Sequence, residues 1–343
     1  MPVLEVIFSI GIFTMNKLIG KLLLISIFWA TIGLLVLSSC SSSPSPGTGG
    51  SPNQNGTSGF STVFVGTATG VFRSIDSGRT WQSLPGSPTM IQNGQAGGFA
   101  AIGSSLLATN GLPYLSTDNG DHWKQLSIMT ERVTSVAAFH GLFIAGCANG
   151  IFWSSDQGNT WQMIDPVYQN ESYIFGFSQS QDNLYAIDGY GVLRSSDGKS
   201  WQFLASLHYG LSIEAGVENI FAGTDVGSNP DLFRSTDSGT TWNPVSNGYN
   251  FGQVWSLSAI GSAIFAATDI GLYRSDNAGA LWTLMGMGYP VDSLEFNSVQ
   301  CAGSFIFAAS PQHGVFVSSD EGNTWSHSTV GLNDSAAYTI GLQ

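Results

Sequence analysis

The chain has 343 residues, enough for two average domains or one large all-β domain. Charged residues make up only 10% of it, against about 25% in a typical soluble domain, and 43 residues are glycine. This composition fits strands joined by tight turns and excludes a fold of helices rich in Glu and Lys. The net charge of −13 disfavours nucleic acid and anionic lipid surfaces as partners.

Three cysteines, Cys40, Cys147 and Cys301, do not make a disulfide framework. Without a CxxC or His-rich cluster no structural zinc site, and no other metal or cofactor, is expected.

Residues 1–14 are apolar with no basic residue before them, so Met15 reads as the natural start. Lys17 and Lys21 then precede an apolar run from Leu22 to Leu37. The run ends at Leu37-Ser38-Ser39-Cys40, which resembles the lipobox of bacterial lipoproteins. That resemblance implies a signal peptide over 1–39, a diacylglycerol on the Cys40 thiol, and cleavage just before it. The alternative is an uncleaved anchor, because the run approaches the ~20 residues that span a bilayer. Residues 40–59 are Ser, Pro and Gly with almost nothing apolar to bury, a flexible linker. Ser41 after the lipidated cysteine leans towards the outer membrane or cell surface rather than the inner membrane.

From residue 60 onward one pattern recurs: SIDSGRTW (74–81), STDNGDHW (116–123), SSDQGNTW (154–161), SSDGKSW (195–201), STDSGTTW (235–242), SDNAGALW (275–282) and SSDEGNTW (318–325). Successive tryptophans lie 42, 38, 40, 41, 40 and 43 residues apart. Each box follows strand-like alternation and is followed by another short strand. VTSVAAFHG, LFIAGCANG and IFWSS (133–155) are examples, with WQMI (161–164) after the box. The spacing predicts an all-β, seven-bladed β-propeller of four-stranded blades over residues 60–343, with each box in the turn between the third and fourth strands. The first unit lacks an innermost strand and the chain ends in AAYTIGLQ (336–343), so the C-terminal strand is expected to complete the first blade.

The boxes resemble the Asp-box (BNR) repeat, S-x-D-x-G-x-T-W. The repeat is found in sialidases, sortilin-type receptors, xyloglucanase-type glycoside hydrolases and photosystem II assembly factors. The fourth box lacks one residue between Asp197 and Gly198, and the sixth has Asn277 for Asp. Physically the box is a turn. A short carboxylate accepts backbone N–H bonds of its own turn, a glycine takes positive φ, and the tryptophan re-enters a strand. Asp76, Asp118, Asp156, Asp197, Asp237, Asn277 and Asp320 are therefore expected to form turns, not to catalyse.

Sialidase activity is implied only if three arginines converge on a substrate carboxylate. Arg73, Arg194, Arg234 and Arg274 share one repeat position, Arg79 lies inside a box, and only Arg132 stands outside the pattern. A xyloglucanase-like hydrolase needs two carboxylates flanking the scissile bond. Asp188, Asp225 and Asp269 align at turns between second and third strands with Asn110 and Asn149, which points to turn chemistry. Glu131, Asp165, Glu171, Asp292 and Glu295 fall outside the repeat pattern in connections between blades.

Tyr168, Tyr209, Tyr249 and Tyr289 follow their box tryptophans by seven or eight residues, with Tyr173, Phe251 and Trp255 nearby. These aromatics with Arg132 form a candidate binding face. Leu332 at the same position of the last repeat equally favours a packing role. The leading expectation is a monomeric, membrane-tethered lipoprotein outside the cytoplasm, whose propeller binds a protein, peptide or glycan without catalysis. The alternative is a glycoside hydrolase, xyloglucanase-like before sialidase.

Overall fold

A computed structural model of the chain describes residues 62–343 apart from positions 90, 93–94, 97, 127–131, 149, 165–172, 181, 208–209, 217, 226–230, 246–248, 288–293 and 333–335. The signal segment, Cys40 and the linker lie outside the described residues.

Seven four-stranded antiparallel sheets follow one another in sequence. Their innermost strands are Ala337–Leu342 for blade 1, then Gly98–Ile102, Val133–Phe139, Ile174–Ser180, Gly210–Ala215, Val254–Ile260 and Ser298–Ala302 for blades 2 to 7. These strands neighbour each other around a ring. Ala337–Leu342 touches both Ser298–Ala302 and Gly98–Ile102, and so closes it. Closure rests on the antiparallel pairing of Ala337–Leu342 with Val63–Thr67, in the register Val63↔Leu342 to Thr67↔Ala337. The last residue is tied in as well: the Gln343 N–H donates to the Thr62 carbonyl at 3.0 Å. A ring joined this way leaves no inner strand with an open partner.

The second strand of each blade lies between neighbouring blades on both faces, and its composition follows. Leu142–Cys147 and Ala263–Thr268 are buried at every position. Such strands read as continuous apolar runs instead of alternating ones. The core is accordingly divided into layers between blades. One layer joins Phe64 of blade 1, Phe99 and Leu107 of blade 2, and Val136 of blade 3. Each buried phenylalanine in such a layer contributes roughly 1.5–3 kcal/mol relative to exposure.

Polar rungs join the inner strands near the axis. The Ser178 Oγ accepts the Ala215 N–H at 2.9 Å, a Glu214 carboxylate oxygen accepts the Ala259 N–H at 3.0 Å, and the Ser258 Oγ accepts the Cys301 N–H at 3.1 Å. Glu214 thus does at its register what serine does in blades 4 and 6. Its second oxygen accepts a bond from the Ser178 hydroxyl at 3.2 Å.

The boxes are alike in detail. In blade 3 the Asp156 Oδ1 accepts bonds from the Ser154 hydroxyl at 2.8 Å and the Thr160 N–H at 2.8 Å, while Oδ2 accepts the Thr160 hydroxyl at 2.6 Å. The Asn277 Oδ1 takes the Ser275 hydroxyl at 3.0 Å and the Leu281 N–H at 2.7 Å, so an amide oxygen serves the same turn. The residue after the acid, such as Asn119, Ala278 or Glu321, has φ of 54–58°. The residue missing from the fourth box is the one that takes this conformation.

The repeat-equivalent arginines staple blades together. Arg73, Arg234 and Arg274 each donate from Nη1 to the carbonyl of that positive-φ residue in the next blade: Asn119 at 2.9 Å, Ala278 at 3.2 Å and Glu321 at 2.6 Å. Blade 3 has Trp153 at this position and faces the shortened fourth box. There Lys199 Nζ sits 4.4 Å from the Trp153 ring centroid, a cation–π contact in place of the missing carbonyl bond.

The long connection before blade 2 carries a small hairpin, Ile91–Gln92 with Gln95–Ala96. Cys147 and Cys301 are buried in blades 3 and 7 and are not joined in a disulfide.

Candidate functional site

Each inner strand starts at the end of the ring where blades connect, and the turns between second and third strands lie at that same end. The boxes lie at the other. There the carboxylates are held ionised. Asp156 has a pKa of about 2, through the Thr160 hydroxyl first and the Thr160 N–H second. Asp197 also falls to about 2, because hydrogen bonds from the Ser200 and Lys199 N–H groups outweigh its partial burial. Carboxyls this acidic are poor proton donors near neutrality. His122 occupies the Thr position of the second box, and its Nδ1 lies 2.6 Å from the Asp118 Oδ2.

The connecting end is different. The local sequence Asn250-Phe251-Gly252-Gln253 explains how. Phe251 is fully buried and packs edge-on against Tyr273 at 4.9 Å and Trp282 at 5.3 Å. That anchors the connection to blade 6. Gly252 has φ of 66°, and a Cβ there would lie 2.0 Å from the Asp269 Oδ1. Only glycine allows this approach. It lets the Gln253 N–H donate to the Asp269 Oδ1 at 3.0 Å while the Gln253 side-chain amide donates to the Asp225 Oδ1. One buried glutamine therefore links the acids of blades 5 and 6.

Glu295 completes the group from the connection into blade 7, and the Gln312 Nε2 donates to it at 2.8 Å. Burial raises the Asp269 pKa, and the nearby charges of Glu295 and Asp225 raise it further; the Gln253 N–H works in the opposite direction. Asp231, also buried, accepts the Phe251 N–H at 3.3 Å and is raised by burial. Three carboxylates from adjoining blades therefore lie near enough for Asp225 and Glu295 to raise the pKa of Asp269 beyond the effect of its burial. Among the described residues no group of three His, Cys, Asp or Glu side chains is arranged to hold a metal ion.

Tyr249 stands beside these acids with its ring stacked 5.8 Å from Phe251 and 41% of its surface exposed. Tyr173, Tyr190 and Ile270 are also exposed at this end. Trp255 is a correction to the aromatic face expected from sequence. It is 5% exposed and packs on Leu211, because it is the extra residue of a β-bulge between Val254 and Ser256. Phe251 is likewise core. Arg132 is half-buried at the start of blade 3, away from the three acids. Tyr168, Tyr209 and Tyr289 lie outside the described residues.

The alignment of turn acids also needs correcting. Asp188 is the last residue of Asn183–Asp188 and occupies the register of Thr268, one position before Asp269. It is fully buried, its Oδ1 accepts the Tyr190 and Gly191 N–H groups at 2.7 Å each, and burial lifts its pKa to about 6. Asp188 caps its own turn, whereas Asp225 and Asp269 each accept a bond from Gln253. Sequence reading did not single out Gln253, Asn297, Asp231 or Glu214. The usable signal was Gly252, a glycine set between a buried aromatic and a glutamine. A cavity of about 440 Å³ opens at the box end between blades 5 and 6, lined by Glu218, Phe221, Asp276 and Asn277. It lies at the opposite end from the three acids.

Fold and site together define a seven-bladed β-propeller with an acidic, aromatic surface at its connecting end. No family model matches the chain. It is 25% identical over 251 residues to a xyloglucanase of Hypocrea jecorina (strain QM6a), an alignment covering 69% of this chain and 27% of that one. Among solved structures it resembles the GH74 enzyme of Niastella koreensis with a TM-score of 0.63 and 14% identity, over 88% of this chain and 55% of that one. It also resembles YCF48 bound to D1 peptide with a TM-score of 0.58 and 18% identity, over 74% of this chain and 86% of that one. The chain thus spans about a quarter of the curated relative and about half of the first solved one. At these identities the structural likeness shows the fold.

Proposed function

We propose that this propeller recognises a glycan across its connecting end and hydrolyses a glycosidic bond at Asp225, Asp269 and Glu295. The observation that carries this reading is the convergence of the three acids beside exposed Tyr249, with Asp269 raised by burial and by its two neighbours. Asp269 donates a proton to the glycosidic oxygen. Asp225 or Glu295 takes a proton from the attacking water, so that one C–O bond breaks and one forms. Tyr249 offers an apolar face to a sugar ring. The similarity to a xyloglucanase supports the substrate class.

The test is release of reducing ends from xyloglucan and other β-glucans by the purified protein, with Asp269→Asn as control. Turnover that survives this substitution unchanged removes Asp269 from the mechanism. Absence of both turnover and glycan binding removes the reading.

A second reading, binding without catalysis, is favoured by one observation. Asp225, Asp269 and Glu295 each already accept a hydrogen bond from Gln253 or Gln312. Glycan binding with no turnover selects it.

We further propose that Cys40 carries a lipid and tethers the propeller outside the cytoplasm through the 40–59 linker. No helix among the described residues is long and apolar enough to cross a membrane. Cys40→Ala should release the protein from the membrane fraction; retention of the variant supports an uncleaved anchor instead.

A further inference from the structure

We infer that the seam between blades 7 and 1, beside the point where the chain enters the propeller, is a lipid-binding surface that seats Ile75 and Val330 in the bilayer holding the chain. The inference rests on the membrane tether proposed above, and it holds for a lipid on Cys40 or for an uncleaved anchor alike.

The path of the chain decides which surface meets the membrane. Val63 pairs with Ser74, the first residue of the blade 1 box, and the Thr62 carbonyl accepts the Gln343 N–H. The linker therefore arrives at the box end, beside that box. Residues 40–61 supply 22 positions between Cys40 and Thr62, mostly Ser, Pro and Gly. A chain of that length and composition averages about 25 Å end to end. A compact domain of this size is roughly 50 Å across. The tether is thus shorter than the propeller is wide, and the box end of blade 1 is the part it keeps close to the bilayer. The connecting end, with Asp225, Asp269 and Glu295, is carried on the far side.

The side chains around the entry differ from their repeat equivalents. Ile75 stands between the box serine and acid, where the other six boxes have Ser, Thr or Asp, and it is 78% exposed. It contributes nothing to the turn, whose bonds run through Ser74, Asp76 and Thr80. Val330 is drawn against the same box: its carbonyl accepts the Trp81 N–H at 2.9 Å, and its side chain is 63% exposed. Gly331 permits that approach, since a Cβ there would lie 2.0 Å from the Trp81 carbonyl oxygen. A cavity of about 240 Å³ in this seam is lined by Arg79, Val317, His327 and Val330. Leu281, in the box on the other side of blade 7, is 65% exposed where the other boxes carry a hydroxyl or an imidazole.

Single exposed apolar residues are common on any protein surface. Here two of them flank the entry of a tether, and the exposed Arg79 lies in the same box as Ile75. Its aliphatic stem can lie along lipid chains while the guanidinium stays among the phosphates. A chain of net charge −13 gains nothing from an anionic membrane as a whole, so the contact is apolar burial at a zwitterionic surface.

The test uses the full chain recovered from membranes and reconstituted in phosphatidylcholine liposomes. One fluorescent label is placed at Ile75→Cys and, separately, at Ile270→Cys, exposed at the connecting end. Cys147 and Cys301 are buried, and the chain without an added cysteine gives the background. On reconstitution the label at 75 should lose most of its quenching by aqueous iodide and become quenched by lipid carrying an acyl-chain nitroxide. The label at 270 should stay open to iodide and untouched by the lipid quencher. A label at Val330→Cys should be shielded too, and Ile75→Asp should reopen it to iodide. Equal iodide access at 75 and 270 overturns the inference while the tether survives. Shielding at 75 without quenching by lipid overturns it in favour of cover by the chain's own linker. Shielding at 330 that Ile75→Asp does not relieve overturns the apolar contact. A chain that does not float with the liposomes overturns the tether and this inference together.

Discussion

Arg274 in blade 6 donates a 2.6 Å hydrogen bond from Nη1 to the Glu321 carbonyl in blade 7, while its Nε holds Asp276 at 2.7 Å. One guanidinium thus joins two boxes. The carbonyl it reaches belongs to a residue at φ 58°.

Arg274→Ala should cost about 0.5–1.5 kcal/mol, the net range for a hydrogen bond, because water can reach the Glu321 carbonyl and Asp276 once the guanidinium is gone. Lysine should recover little of it, since a point charge cannot bond Glu321 and Asp276 from separate nitrogens. Denaturant melts of the three proteins check this; equal midpoints for wild type and Arg274→Ala would show the staple contributes nothing.

Ring closure gives a sharper expectation. Ile340 is fully buried and pairs with Val65, so Ile340→Ala should cost about 2–5 kcal/mol. Removing residues 336–343 should abolish the single cooperative transition, because Val63–Thr67 loses its inner partner. Calorimetry on the truncated protein decides, and a melt like that of the full chain contradicts the closure.

Stability should fall in acid because of the boxes. Asp156, Asp237 and Asp320 titrate at about 2 when folded, each held there first by its Thr hydroxyl, against an ordinary 3.8. A depressed carboxyl stabilises above its unfolded pKa and loses that contribution as pH falls through its folded pKa. The melting temperature should therefore drop between about pH 4 and pH 2. Asp156→Asn should weaken this dependence and still fold, as Asn277 does in blade 6. A flat profile over that range argues against the boxes as the source.

Glu214 acts in the opposite sense. Burial near the axis pushes its pKa up from 4.5 to about 7, against the bonds from Ala259 and Ser178. The folded state then holds a proton that the unfolded state has released, so stability is fully present below about pH 4.5 and declines as pH rises through about 7. Glu214→Gln keeps an oxygen for the Ala259 N–H and should flatten this decline. Melting temperatures between about pH 4.5 and pH 7 for both proteins provide the check. An unchanged slope in the variant would mean that another group, such as Asp188 at about 6, sets it.

The blade count, the four strands of each blade and the closing strand were legible in the residues because each follows from local spacing. A turn acid, a glycine and a tryptophan recur every forty or so residues, and a first unit lacking its inner strand calls for one at the other end. Burial of individual aromatics was not legible. Tyr249 and Trp255 sit six residues apart in one segment, yet one is exposed and the other buried, because a bulge turns Trp255 onto Leu211 of the neighbouring blade. The candidate site was hidden for the same reason. Asp225, Asp269 and Glu295 lie 44 and 26 residues apart, and nothing local relates them. They meet because adjacent blades bring their turns to one end of the ring, and because Gly252 has no side chain to keep Gln253 away from Asp269. Repetition along a chain records how each blade is built. The chemistry between blades arises from side chains that the repeat does not share, brought together only when the ring closes.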